Sequence, residues 1–263
     1  MKTPENLFKA ALARGEHQLG LWNSLGGSAI TEQLASCGYD WVLIDAEHGT
    51  FETGDILPAL QAVAAYPATT AIVRPPSGDA ALIKRLLDFG AQSLLIPYVQ
   101  TAEEARALVA ATRYAPAGIR GFAGMTRATR FGKAEGYAIN ASDQICLLVQ
   151  AESRTALDNL EEIASVDGVD GVFIGPADLA ASLGHPGNPD HPEVQDAIAD
   201  AFGRLRRLGV PAGILALDPE FTRRSLALGS TFTAVGVDSL LLDSAAVQLE
   251  REARGWIAAT PAP

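Results

Sequence analysis

"DWVLIDAEHG", residues 40 to 49, passes from an apolar segment straight into two acids and a histidine. Val42, Leu43 and Ile44 stand in an unbroken row, without the alternation of a half-solvated strand, as a strand covered on both faces requires. Asp45, Glu47 and His48 close its C-terminal end. Taken alone, such a histidine is more often a satisfied structural residue than a reactive one. What lies on either side decides between the two readings.

Seven other short apolar runs accompany this one: "HQLGLWNSL" (17–25), "TTAIVRP" (69–75), "SLLIPYV" (93–99), "QICLLVQAE" (144–152), "DGVFIGP" (170–176), "PAGILAL" (211–217) and "FTAVGVD" (232–238). Amphipathic segments such as "DAALIKRLLDFG" and "TAEEARALVAATRY" separate them, several opening on Ser, Thr or Asp and stopping at Gly, the residues that cap helices. Apolar strand and helix in alternation specify βα units around a parallel sheet. Eight such units in 263 residues fit a single-domain (β/α)8 TIM barrel. A dinucleotide-binding sheet is disfavoured, because no G-x-G-x-x-G opens a helix after the first strand. Two connections, 116–143 and 177–194, read as long loops, and long ordered loops are often functional. A final helix is expected over about 239–257, packed on its own barrel or exchanged between subunits, followed by the tail "AATPAP".

Composition narrows the partners. With a formal charge of −11 and no basic cluster, the chain is not expected to bind nucleic acid, and Arg204, Arg206 and Arg207 read as a solvated helix face. No run is long and apolar enough for a membrane span, and no signal-peptide core is visible near the start, so a cytoplasmic location is expected. Cys37 and Cys146 lack a C-x-x-C arrangement and read as reduced filler.

In a barrel the C-terminal strand ends form one mouth, where active sites are built. Polar residues collect there: Trp22 after strand one, Asp45, Glu47 and His48 after strand two, Arg74 after strand three, Gln150 and Glu152 after strand five, Asp178 after strand six. With so many ionisable groups at one mouth, His48 reads as functional. Glu152 and Asp178, on adjacent strand ends, suit a hard divalent cation; the alternatives are salt bridges, or for Asp178 a helix cap. Arg74 offers a fork for a carboxylate or oxyanion, or an ion pair with Asp45 or Glu47. Trp22, at a strand end, reads more as packing than as pocket wall. His185 and His191 read as turn residues, and Arg127 and Arg130 reach either the site, a neighbouring subunit or solvent.

These motifs, with "AIVRPP", "LLIPYVQTAEEA", "RYAPAGIRG", "LVQAES", "GVDGVFIGPADLAASLG" and "AVGVDSLLL" in that order, resemble the HpcH/HpaI family of metal-dependent class II pyruvate aldolases over nearly the whole chain. The resemblance implies that Glu152 and Asp178 hold Mg²⁺, Mn²⁺ or Co²⁺, chelated in turn by a 2-oxo acid. Arg74 would contact the oxo group, and His48, oriented by Asp45, would act as acid and base through a water on the metal. Trp22, Gln150, Gly175, Pro176 and Ala177 match positions lining the substrate. The implied reaction is reversible aldol cleavage of 4-hydroxy-2-oxo acids to pyruvate or hydroxypyruvate and an aldehyde, in a homohexamer built as a trimer of dimers. No Schiff-base lysine is needed, since Lys84 and Lys133 fall in a helix and a loop. Phe122 and Met125 depart from the pattern of close relatives, which leaves the aldehyde pocket open. Cleavage of a CoA ester, or a barrel that binds metal or acid without turnover, are the other readings.

Overall fold

In the computed structural model, which describes residues 1–260, eight parallel strands close into one barrel in chain order. They are β1 (Gln18–Asn23), β2 (Trp41–Asp45), β3 (Thr70–Arg74), β4 (Ser93–Ile96), β5 (Cys146–Ala151), β6 (Gly171–Ile174), β7 (Ala212–Leu215) and β8 (Phe232–Val237). Each lies inside one of the eight apolar runs. β8 pairs with β1 to close the ring, with a register shift between Gly20 and Trp22.

Strand side chains split between two cores, which is why the runs show little alternation. Outward-facing Ile44, Val73, Val149 and Ile174 pack against the helix ring. Inward-facing Leu43, Ile72, Leu95, Leu148, Phe173 and Phe232 fill the lumen. The lumen is dominated by aromatics meeting edge to face, with Phe8 6.1 Å from Trp41 and 5.8 Å from Phe232. Phe8 belongs to the first helix, Leu7–Ala13, and is fully buried, so this helix plugs the barrel at the end opposite the mouth. Glycines admit the large rings: a Cβ at Gly20 would overlap Trp41, and one at Gly213 would overlap Phe232.

The two long connections are shorter than expected. Residues 177–194 are half helical, since Pro176–Ser182 and Pro192–Leu208 flank a loop of 183–191 only. Residues 116–143 contain a short helix, Tyr137–Asn140, and the start of the 3-10 turn Ala141–Gln144. Arg127 in this connection donates to the carbonyls of Phe89 (2.9 Å) and Leu60 (3.3 Å). Phe89 ends the helix Ala80–Asp88, and helices here run antiparallel to the strands, so Arg127 sits at the closed end, away from the mouth of its own chain. Phe122 stacks edge-on against Tyr114, just past the end of the helix Ala102–Thr112, and is likewise remote from that mouth.

The last helix, Asp238–Ala259, takes up the first residues of the expected tail; 261–263 lie outside the described residues. Beyond buried Asp238 it is exposed along almost its whole length, with Leu240, Leu241, Leu242, Leu249, Trp256 and Ile257 open to solvent. Past its first turn it therefore does not pack on its own barrel. No described helix is long and apolar enough to cross a membrane.

Gly20→Ala should destabilise the fold by about 1–3 kcal/mol, the cost of overpacking against an immobile Trp41. Urea unfolding would show this as a lower midpoint at unchanged slope.

Candidate active site

Strand register sets the first contact at the mouth. Asp45 and Arg74 are direct partners at the last rungs of β2 and β3, so their side chains leave the barrel at the same height. The guanidinium meets the carboxylate two-pronged, Nε to Oδ1 at 3.0 Å and Nη2 to Oδ2 at 2.7 Å. Its remaining nitrogen, Nη1, lies 3.0 Å from Glu47 Oε2 and 3.4 Å from Gln150 Oε1. The approach to Glu47 is Coulombic, because that oxygen lacks a well-directed hydrogen bond. The ion-pair reading of Arg74 thus describes what the side chain does, with both acids at once.

Gln150 carries the network across the mouth. Its amide accepts from Arg74 and donates to Glu152 Oε2 at 2.6 Å, while the other Glu152 oxygen accepts the Tyr98 backbone N–H at 2.7 Å. Tyr98 reaches that position with φ 56°, a left-handed backbone that non-glycine residues adopt only under constraint. Trp22 is buried against Trp41 and Phe173 in the lumen, yet its indole donates to Asp45 at 3.1 Å and Arg74 lies over its ring at 4.9 Å. Packing residue and site residue are here the same side chain.

Charge is unevenly shared among these groups. Burial would raise the Asp45 carboxyl, but the hydrogen bonds and charge of Arg74, with further donors from the His48 backbone and Trp22, hold it below the usual carboxylate range. Glu47 goes the other way, raised chiefly by burial, against which the attraction of Arg74 falls short. Glu152 is pushed up to about 7 by burial, with the charges of Asp178 and Glu47 adding to the effect. Four carboxylates therefore crowd one mouth around a single guanidinium that Asp45 already occupies.

That surplus of oxygen donors fits a hard divalent cation. Glu152 is held from two sides, as a ligand carboxylate should be. Asp178 stands in the first turn of the helix Pro176–Ser182 and accepts no hydrogen bond among the described residues; the cap position belongs to Gly175, so the cap alternative does not hold. Gly175 has a steric reason to be glycine, because a Cβ there would collide with Glu152 Oε2. Pro176 is the first residue of that helix and Ala177, exposed, the second.

His48 departs from expectation. Asp45 accepts the His48 backbone N–H at 3.2 Å but does not touch its ring, because Arg74 and Trp22 already occupy the carboxylate. The imidazole is two-thirds exposed and faces Glu47, Nε2 to Oε1 at 3.6 Å. Away from this network, His185 and His191 stack at 3.5 Å in the loop before Pro192–Leu208. His191 caps that helix, and His185 bonds Glu193 at 2.8 Å. Together with Glu193 they form a group whose ligand atoms lie within 4.8 Å of one another, more convergent than turn residues need be.

Sequence reasoning did not find the Tyr98 N–H, since a backbone donor leaves no residue signature. It also missed Asp238, which accepts from Asn23 (2.7 Å), Ser24 N (2.9 Å) and Leu25 N (3.0 Å) and ties the loop after β1 to the last helix.

Gly175→Ala should weaken Mn²⁺ binding about tenfold or more by displacing the Glu152 carboxylate, with little loss of fold, as titration calorimetry would measure. Binding should also depend on pH, since a proton on Glu152 competes with the cation. Mn²⁺ affinity should fall about tenfold per unit below pH 7 and level off above pH 8. Metal-free stability should respond in the opposite sense. Glu152 holds its proton more tightly folded than unfolded, so its contribution is full below about pH 4.5 and lost as pH rises through about 7.

Comparison with known proteins bears on the family and the fold. Residues 18–245 match the model of the HpcH/HpaI aldolase/citrate lyase family. The chain is 56% identical to a hydroxypyruvate/pyruvate aldolase of Sagittula stellata, over 96% of this chain and 99% of that one. It is 58% identical to a pyruvate aldolase of Rhizobium etli, over 92% of this chain and 95% of that one. A solved HpcH/HpaI aldolase/citrate lyase family protein from Burkholderia cenocepacia superposes with a TM-score of 0.91 at 40% identity, covering 95% of this chain and 99% of that one. With its barrel closed in chain order and its carboxylates gathered around Arg74, this chain belongs to the HpcH/HpaI aldolase/citrate lyase family.

Proposed function

We propose that the chain is a divalent-metal-dependent aldolase, a carbon–carbon lyase that reversibly cleaves 4-hydroxy-2-oxo acids to pyruvate or hydroxypyruvate and an aldehyde. The observation that carries this reading is Glu152, held by Gln150 and the Tyr98 N–H and joined through Gln150 to Arg74, with the charge of Asp178 near enough to raise its carboxyl. A small 2-oxo acid set beside this network would have a cation site on one side and a guanidinium on the other. Mg²⁺, Mn²⁺ or Co²⁺ held by Glu152 and Asp178 would supply the positive charge that favours an enolate over its keto acid. Relatives that act on pyruvate and hydroxypyruvate support the choice of donor.

The chain's own residues do the rest. Asp45 and Trp22 fix the Arg74 guanidinium, so its orientation is in place before an oxyanion develops. Gln150 and the Tyr98 N–H hold Glu152 still. His48, exposed and beside Glu47, is placed to move a proton at the rim, with Glu47 as its carboxylate partner. Gly175, Pro176 and Ala177 would form the wall beside the oxo acid. No lysine is required: Lys84 lies in the helix Ala80–Asp88 and Lys133 in the connection at the closed end.

The exposed apolar helix Asp238–Ala259 supports a homo-oligomer, a hexamer of three dimers, in which neighbours cover this helix. Two free cysteines, one of them exposed, accord with a cytoplasmic location.

The test follows pyruvate release from 4-hydroxy-2-oxo acids by a coupled dehydrogenase, on protein stripped with EDTA. Release should appear only after Mn²⁺, Mg²⁺ or Co²⁺ is restored. Glu152→Gln should remove it while the circular dichroism spectrum stays that of the parent. His48→Ala should lower kcat by about 100-fold or more with KM little changed. Metal-independent release at the parental rate would overturn the reading.

A further inference from the structure

Beside the mouth, between the loops that follow β3 and β4, lies a cavity of about 360 Å³ within the size range of small-molecule sites. Two of its lining residues belong to the network already described. Glu47 is the acid 3.0 Å from Arg74, and Tyr98 is the residue whose N–H holds Glu152. The cavity therefore adjoins the network beside which the 2-oxo acid would sit. Its floor is apolar, made by Ile96, Val99 and Leu108, all nearly fully buried. Tyr98, 57% exposed, forms a lip, and the strained backbone that aims its N–H at Glu152 also sets where that ring stands.

Gly78 packs directly against this floor: a Cβ there would come within 2.7 Å of the Leu108 side chain and 3.5 Å of Ile96, so any larger residue would displace the side chains that line the cavity. Its φ lies outside the left-handed region, which leaves the missing side chain as the evident reason for glycine. The acids of the cavity are Glu47 and Glu104, the latter accepting from the Gln100 and Thr101 backbones. No basic side chain lines it.

Resting on the aldolase reading above, we infer that this cavity receives the chain of the acceptor aldehyde and selects uncharged apolar aldehydes over those that bear a carboxylate. The apolar floor rewards each methylene withdrawn from water, and the two acids repel a second negative charge.

The experiment measures kcat/KM for addition of pyruvate to ethanal, butanal and hexanal, and to succinic semialdehyde, with Mn²⁺ present. Loss of the pyruvate methyl protons to D₂O, read by NMR, is followed in parallel without any aldehyde. In the parent, kcat/KM should rise with chain length by up to about fourfold per methylene, the value of a fully buried CH₂. Succinic semialdehyde should react at least tenfold less well than butanal. Gly78→Val should flatten the chain-length dependence and cut hexanal at least tenfold, leaving ethanal and proton exchange unchanged. Gly78→Ala, a smaller perturbation should the valine variant not fold, should do the same in milder form. Exchange without chain-length dependence, or a Gly78 variant that lowers ethanal and hexanal alike, overturns the inference alone. Absence of exchange in the parent overturns the aldolase reading and this inference with it.

Discussion

The fork between Arg74 and Asp45 is the contact from which the rest of the mouth is built. Two strands present an acidic and a basic side chain at the same rung, and the pair closes two-pronged, two guanidinium nitrogens on two carboxylate oxygens. Because Arg74 is then immobile, its last nitrogen can serve both Glu47 and Gln150, and Gln150 in turn orients Glu152. Removing one partner from such a buried pair leaves an uncompensated charge, at a cost of about 3–5 kcal/mol. Trp22 joins the lumen to this network, so the packing of the barrel and the polarity of its mouth are not independent.

The fold was legible in the sequence because covered strands leave a record that survives without alignment. Val42 to Ile44 and Leu147 to Val149 are apolar on both faces, and eight such runs alternating with helices admit few architectures. The strand ends followed from the same argument, since Asp45, Arg74, Glu152 and Asp178 had to emerge on one face once the barrel was assumed. What could not be read was who holds whom. Asp45 was expected to steer the His48 ring and instead holds Arg74, a choice decided by a cross-strand register that no local pattern encodes. The left-handed turn at Tyr98 carries no glycine or asparagine to announce it. Likewise, Gly175 looks like an ordinary turn residue until Glu152 is found pressed against it.

Glycine is used here in two distinct ways. At Gly20 and Gly213 its missing side chain makes room for the rings of Trp41 and Phe232 in the lumen, at Gly175 for a carboxylate, and at Gly78 for the Leu108 side chain in the floor of a cavity. The first pair serves the barrel and the second the mouth. A substitution of the same chemical kind should therefore be felt as lost stability at one end of the molecule and as altered binding at the other.

Phe8 stops the lumen from below, packed against Trp41 and Phe232 with no exposed surface. With the lumen filled by these rings, no ligand can approach Arg74 through the barrel, and everything that reaches the guanidinium has to come from the mouth.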